Sequence, residues 1–88
     1  MTKYTAVAFA YSGIREYSTD SLVRARKKAI QWIEEEDVRK GVEIYEGNKQ
    51  IGYVKWKKGQ YIFINTIFRD YDTYLKEILL NKNGTIKK

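Results

Sequence analysis

Two short turn signals between Val42 and Ile64 constrain the fold more than any other feature of this chain. Gly47-Asn48 suits a type II′ turn, Lys58-Gly59 forms a second two-residue connection, and both are flanked by alternating apolar and polar residues. Alternation is the period of a strand, in which successive side chains point to opposite faces. Residues 42–64 are therefore expected as three antiparallel strands joined by tight hairpins. The turns also set a register: Glu46 opposes Lys49 and Ile44 opposes Ile51, then Trp56 opposes Tyr61 and Val54 opposes Phe63. One face of this sheet carries Val42, Ile44, Ile51, Tyr53, Ile62 and Ile64; the other carries Tyr45, Val54, Trp56, Tyr61 and Phe63.

Upstream, Thr5 to Tyr11 offers strand formers or small residues on both faces, as a central strand does. Ser12-Gly13 reads as its turn and Ile14 to Tyr17 as a short return strand. A helix follows. Ser18 or Thr19 can cap it, Asp20 suits its first turn, and Tyr17 and Leu22 occupy the hydrophobic-staple positions. Leu22, Ala25, Ala29, Trp32 and Ile33 share one face, with Val23 and Ile30 at its margin. The aliphatic sheet face is expected to pack under this helix, with Val7 and Phe9 contributing from the first strand. Tyr71, Tyr74, Leu75, Ile78 and Leu79 repeat at i, i+3, i+4, i+7 and i+8, which predicts a second helix over 70–81 ending at Asn83-Gly84. The order is β(β)-α-β-β-β-α: an α+β fold with an antiparallel sheet of four or five strands and two helices. Residues 1–81 are expected as one compact domain and 82–88 as a basic flexible tail.

The helix, three-strand, helix order over residues 18–81 is similar to the double-stranded-RNA-binding domain. That family carries a basic motif at the start of its second helix, where this chain has Asp70, Tyr71 and Asp72, and a histidine in a strand turn, which this chain lacks. The resemblance is therefore one of topology, and no RNA-binding residue is carried over from it.

The 88 residues include no cysteine and no histidine. That removes disulfides, thiolate metal sites, cysteine nucleophiles and the usual general base. No glycine-rich phosphate loop or G-x-S-x-G pattern occurs, and Glu34-Glu35-Glu36-Asp37 would point about 100° apart on a helix rather than converge on a cation. The expectation is a protein that is not an enzyme and needs no cofactor. The N-terminus does not look like a signal peptide and no run of 18 apolar residues exists, so the cytoplasm is expected and a membrane is not.

The net charge of +6 favours polyanionic partners, and the charge is segregated. Residues 1–33 carry six basic and two acidic residues, 34–37 are all acidic, and 49–69 hold five basic residues and no acid. Arg24, Arg26, Lys27 and Lys28 crowd the first half of the helix, against the preference of its macrodipole. On the aromatic sheet face, Tyr45, Trp56, Tyr61 and Phe63 with Lys55, Lys57 and Lys58 resemble a stacking platform for unpaired bases. The competing explanation is that the C-terminal helix covers that face. The expected binding residues are Arg24, Arg26, Lys27, Lys28, Lys55, Trp56, Lys57, Lys58 and Tyr61, engaging DNA or RNA through the phosphate backbone. The alternative is a protein-interaction module, an inhibitor or adaptor with an acidic partner, anchored by Tyr45, Trp56 and Tyr61.

Overall fold

A computed structural model of the chain describes residues 3–36, 38, 41–66 and 76–87. In chain order these form β1 (Tyr4–Ala10), β2 (Gly13–Thr19), α1 (Leu22–Glu34), β3 (Val42–Glu46), β4 (Lys49–Lys57), β5 (Gln60–Asn65) and β6 (Lys76–Leu80). The strands make one antiparallel sheet in the order β2-β1-β3-β4-β5-β6, and α1 lies against one of its faces. The class is α+β, as expected. The sheet has six strands rather than four or five, and the described residues hold one helix rather than two. No described helix is long and apolar enough to cross a membrane.

The second expected helix is where the fold departs from the sequence pattern. Residues 70–75 lie outside the described residues, and 76–80 are a strand whose Ile78 opposes Phe63 and whose Leu80 opposes Tyr61. Lys76 to Leu80 satisfies both periods, since Ile78 and Leu80 also fall on one side of a strand. Without β6, β5 would be an edge with unpaired N–H and C=O groups, and a ladder with apolar cross-strand partners outweighs a local helical preference. Among the described residues the order is helix and then four strands, so 76–80 do not supply the second helix of a double-stranded-RNA-binding domain.

A β-bulge rearranges the two sheet faces. β3 and β4 leave their turn in the expected register, Glu46 opposite Lys49, and Gly47 has the φ of 60° that a type II′ turn requires. The register then shifts between Ile44 and Tyr45, so Ile44 opposes Gly52 instead of Ile51. The β4–β5 hairpin keeps its expected pairs, Trp56 with Tyr61 and Val54 with Phe63. One inserted residue inverts everything beyond it. Val54, Trp56, Tyr61 and Phe63 thus join Val42 and Ile44 on the helix side, while Tyr45, Tyr53, Ile62 and Ile64 turn to the other. Glycine is required at the shift, because a Cβ on Gly52 would strike the Ile64 carbonyl and come within 2.6 Å of the Phe63 ring.

The core lies between α1 and this reorganised face. Ala6 and Ala8 of β1 and Ala25 and Ala29 of α1 are completely buried, beside Ile30, Val42, Ile44 and Val54. Small residues on both elements let helix and sheet approach closely while Ile30 and Trp32 fill the remaining space. The alanines of β1 therefore face the helix. Val7 and Phe9, expected there, lie on the other face, and Phe9 is half exposed. The β1–β2 turn is Tyr11-Ser12, with Ala10 opposite Gly13, instead of Ser12-Gly13. The helix cap is Ser21, whose Oγ accepts from the Arg24 N–H at 3.3 Å; Ser18 and Thr19 belong to β2.

Candidate functional site

Helical spacing gathers some of the expected binding residues and separates others. Arg24 and Lys27 are exposed on the outer side of α1, and Lys28 beside them holds its Nζ 5.0 Å from the centroid of the Tyr17 ring. Among the described residues none of the three makes an ion pair. Arg26 is different. It points inward and is 5% exposed, its Nε donates to the Gly84 carbonyl at 2.9 Å, and its guanidinium lies 5.6 Å from the centroid of Phe63. Burial lowers its pKa from the ordinary arginine value. Arg26 is a structural clamp and leaves the set of phosphate contacts.

The acidic end of α1 is partly neutralised. Glu35 accepts from Arg15 at 2.9 Å and from Gln31 at 3.4 Å, and the Arg15 guanidinium sits 5.8 Å from the Trp32 ring centroid. This pairing offsets the cost of carboxylates near a helix C-terminus. Asp37, the last of the acidic run, lies outside the described residues.

Of the lysines beside Trp56 in sequence, Lys55 borders a cavity with it, together with Glu36 and Tyr53, while Lys57 is directed away. Trp56 and Tyr61 stand on the helix side, ring centroids 4.6 Å apart at 63°, an edge-to-face contact that leaves Trp56 53% exposed. Burial, and then the charge of nearby Glu34, raise the Tyr61 pKa above its ordinary value. Lys55 and Lys57 project from the opposite face. Lys57 pairs with Glu77 at 3.2 Å, and the Lys55 Nζ lies 5.9 Å from the Tyr53 ring centroid. Lys58 occupies the β4–β5 turn with a φ of 52°. Tyr45, placed with Trp56 by the sequence pattern, is on the face away from α1 and donates to Glu43 at 3.0 Å.

Further cations approach Trp56 from the C-terminal residues. Beyond β6 the chain turns at Asn81–Gly84, pairs Leu80 with Ile86, and returns the Lys87 N–H to the Leu79 carbonyl at 2.8 Å. Asn81, Asn83 and Thr85 tie the turn through their side chains. Gly84 is buried against α1 with a φ of 90°, and a Cβ there would strike the Val23 carbonyl and come within 2.8 Å of the Lys27 nitrogen. Residues 82–87 of the expected tail are thus strapped to the helix. Lys82 borders one groove with Lys27, Gln31, Glu34 and Glu35, and a second groove with Trp56, Tyr61 and Lys87. Glycine in Asn83-Gly84 was the available sequence signal, since it marks a turn as readily as a helix stop. No family model matches the chain, and no curated protein and no solved structure matches it either.

Proposed function

We propose that this chain is a small non-enzymatic module of the cytoplasm that binds nucleic acid through its phosphate backbone. The observation carrying this reading is the strip of cations Arg24, Lys27, Lys28 and Lys82, none of which makes an ion pair among the described residues. Lys27 and Lys82 border a common groove, so the strip continues from the helix onto the C-terminal turn. The positive end of the α1 dipole lies at the same end as Arg24, which adds to the attraction for anions. Lysine and arginine side chains on phosphates supply affinity and position without reading sequence.

The test is a titration with generic DNA and RNA at two salt concentrations. Four phosphate contacts correspond to a log–log salt slope of about −2.8 to −3.6, a loss of about 50- to 150-fold between about 50 and 200 mM salt. Reversing Arg24, Lys27 and Lys28 together to Glu lowers that slope by about 2–3 and leaves the fold intact. Absence of binding at the lower salt removes the reading.

A protein partner is favoured by one separate observation. Phe9 and Ile14 oppose each other on the face away from α1, 51% and 66% exposed, with Tyr11 at 66% in the turn joining their strands. Interface cores favour such aromatic and aliphatic anchors. Under this second reading, substitution of Phe9 and Ile14 by Ser abolishes complex formation while oligonucleotides bind neither protein.

A further inference from the structure

We infer that the groove between the β4–β5 turn and the C-terminal turn receives an unpaired nucleotide of a single strand, its base against Trp56 and its phosphates at Lys82 and Lys87. This rests on the nucleic-acid reading above and narrows it to single strands.

The first support is Trp56 itself. Of the two tryptophans, Trp32 is 7% exposed and fills the core, whereas Trp56 keeps half of its surface in water. Its packing contribution is small for so large a ring, yet Tyr61 braces it edge-on at 4.6 Å. A fixed, exposed aromatic ring is what base stacking needs, because every base offers a π-face and little side-chain freedom is left to lose on contact.

The second support is the chemistry of the rim. The groove encloses about 270 Å³, and among the described residues no acidic one borders it. Lys82 and Lys87 supply the charge for phosphate. Gln60 and Asn81 supply amides, which can pair with base edges by donating and accepting. The Asn81 amide nitrogen donates to Thr85 at 3.0 Å, which fixes the side chain and leaves its carbonyl oxygen as an acceptor. Glu34, whose charge reaches Tyr61, borders the neighbouring groove and not this one.

The third support is shape. The groove is recessed between two turns, and its far wall is strapped down by the Gly84–Arg26 hydrogen bond and the Leu80–Ile86 bridge. A duplex keeps its bases stacked on each other and offers no free face to Trp56, so it can use only the phosphate strip. A single strand uses both.

The experiment compares labelled single strands of about eight nucleotides, oligo-dT and oligo-U, with a hairpin duplex at about 50 mM salt. The wild-type chain binds at least one single strand about 10-fold more tightly than the duplex. Trp56→Ala removes that advantage and leaves duplex affinity unchanged, while Trp56→Phe retains most of it. Single-strand binding quenches tryptophan fluorescence in the wild type but not in Trp56→Phe, where buried Trp32 is the remaining indole. Equal affinity for single strand and duplex, untouched by Trp56→Ala, overturns the inference and leaves the phosphate-backbone reading standing. No binding of any of the three probes overturns both.

Discussion

The two faces of the sheet treat the same residue types in opposite ways. On the helix side, Lys27, Lys28 and Lys82 make no ion pair among the described residues, and Trp56 stands open beside Lys82. On the side away from α1, Lys57 is paired to Glu77, Lys55 lies over Tyr53, and Tyr45 donates to Glu43. Geometry explains the contrast. Consecutive residues in a strand point apart, so Lys55 and Lys57 leave the sheet on the side opposite Trp56. On the helix, Arg24, Lys27 and Lys28 fall at i, i+3 and i+4 and share a side, while Arg26 is turned about 200° from Arg24 and enters the core. The C-terminal turn then adds Lys82 and Lys87 to the surroundings of Trp56.

The strongest way to break this contrast is to detach the C-terminal turn. Gly84→Ala imposes a side chain at a φ of 90° and against the α1 backbone. Left-handed strain and overpacking together are expected to destabilise the protein by about 2–4 kcal/mol, read from the urea midpoint. Arg26→Met keeps comparable bulk but strands the buried Gly84 carbonyl, at about 1–3 kcal/mol. In both variants single-strand affinity falls while every exposed cation remains. Unchanged affinity in a destabilised Gly84→Ala protein would show that Lys82 and Lys87 act independently of the turn that holds them.

How far the sequence discloses all this depends on the range of the interaction involved. The turns at Gly47-Asn48 and Lys58-Gly59, the Trp56–Tyr61 pair and the apolar residues on the inner face of α1 are decided within a few residues and are found as expected, whereas the first turn is displaced by one residue and Arg26 joins the inner face. The bulge at Ile44/Tyr45 is decided by whether Gly52 can lie under Phe63, a neighbour one strand away, and no local pattern reports that. β6 is decided by the open edge of β5, and its Ile-Leu-Leu suits helix and strand alike. For the candidate site the consequence is asymmetric. Trp56, Tyr61, Arg24, Lys27 and Lys28 were legible from spacing and Arg26 was not, whereas Lys82 and Lys87 come to Trp56 through contacts of residues 81–87 with β6 and α1.

A milder contrast concerns the two groups of lysines. Reversing Lys55 and Lys57 to Glu is expected to change oligonucleotide affinity about 2-fold or less at about 150 mM salt, since these charges lie on the far face and are screened. The equivalent reversal of Lys27 and Lys28 costs about 10-fold or more. The Lys57–Glu77 pair, with both side chains nearly half exposed, should show a coupling of about 0.2–1 kcal/mol in a double-mutant cycle with alanine. A large loss of binding on reversing Lys55 and Lys57 would relocate the interface to the face away from α1.

The smallest effect separates the faces by pH. Tyr45 and Tyr61 both keep their phenolic protons above the ordinary value of 10.0. For Tyr45 the main cause is its hydrogen bond to Glu43, with burial and the carboxylate charge adding to it; for Tyr61 the main cause is burial, followed by the charge of Glu34. The folded chain therefore retains protons that the unfolded chain releases as pH rises past 10.0, so stability falls with pH in that window and the shifts contribute no slope below it. Urea midpoints measured from about pH 8 to about pH 11 are expected to decline only at the alkaline end. Tyr45→Phe and Tyr61→Phe should each flatten that decline. Only Tyr61→Phe also alters the packing beside the groove, because the hydroxyl it removes stands on the ring that braces Trp56, so a Tyr45→Phe protein with weakened single-strand affinity would contradict the division of labour between the two faces.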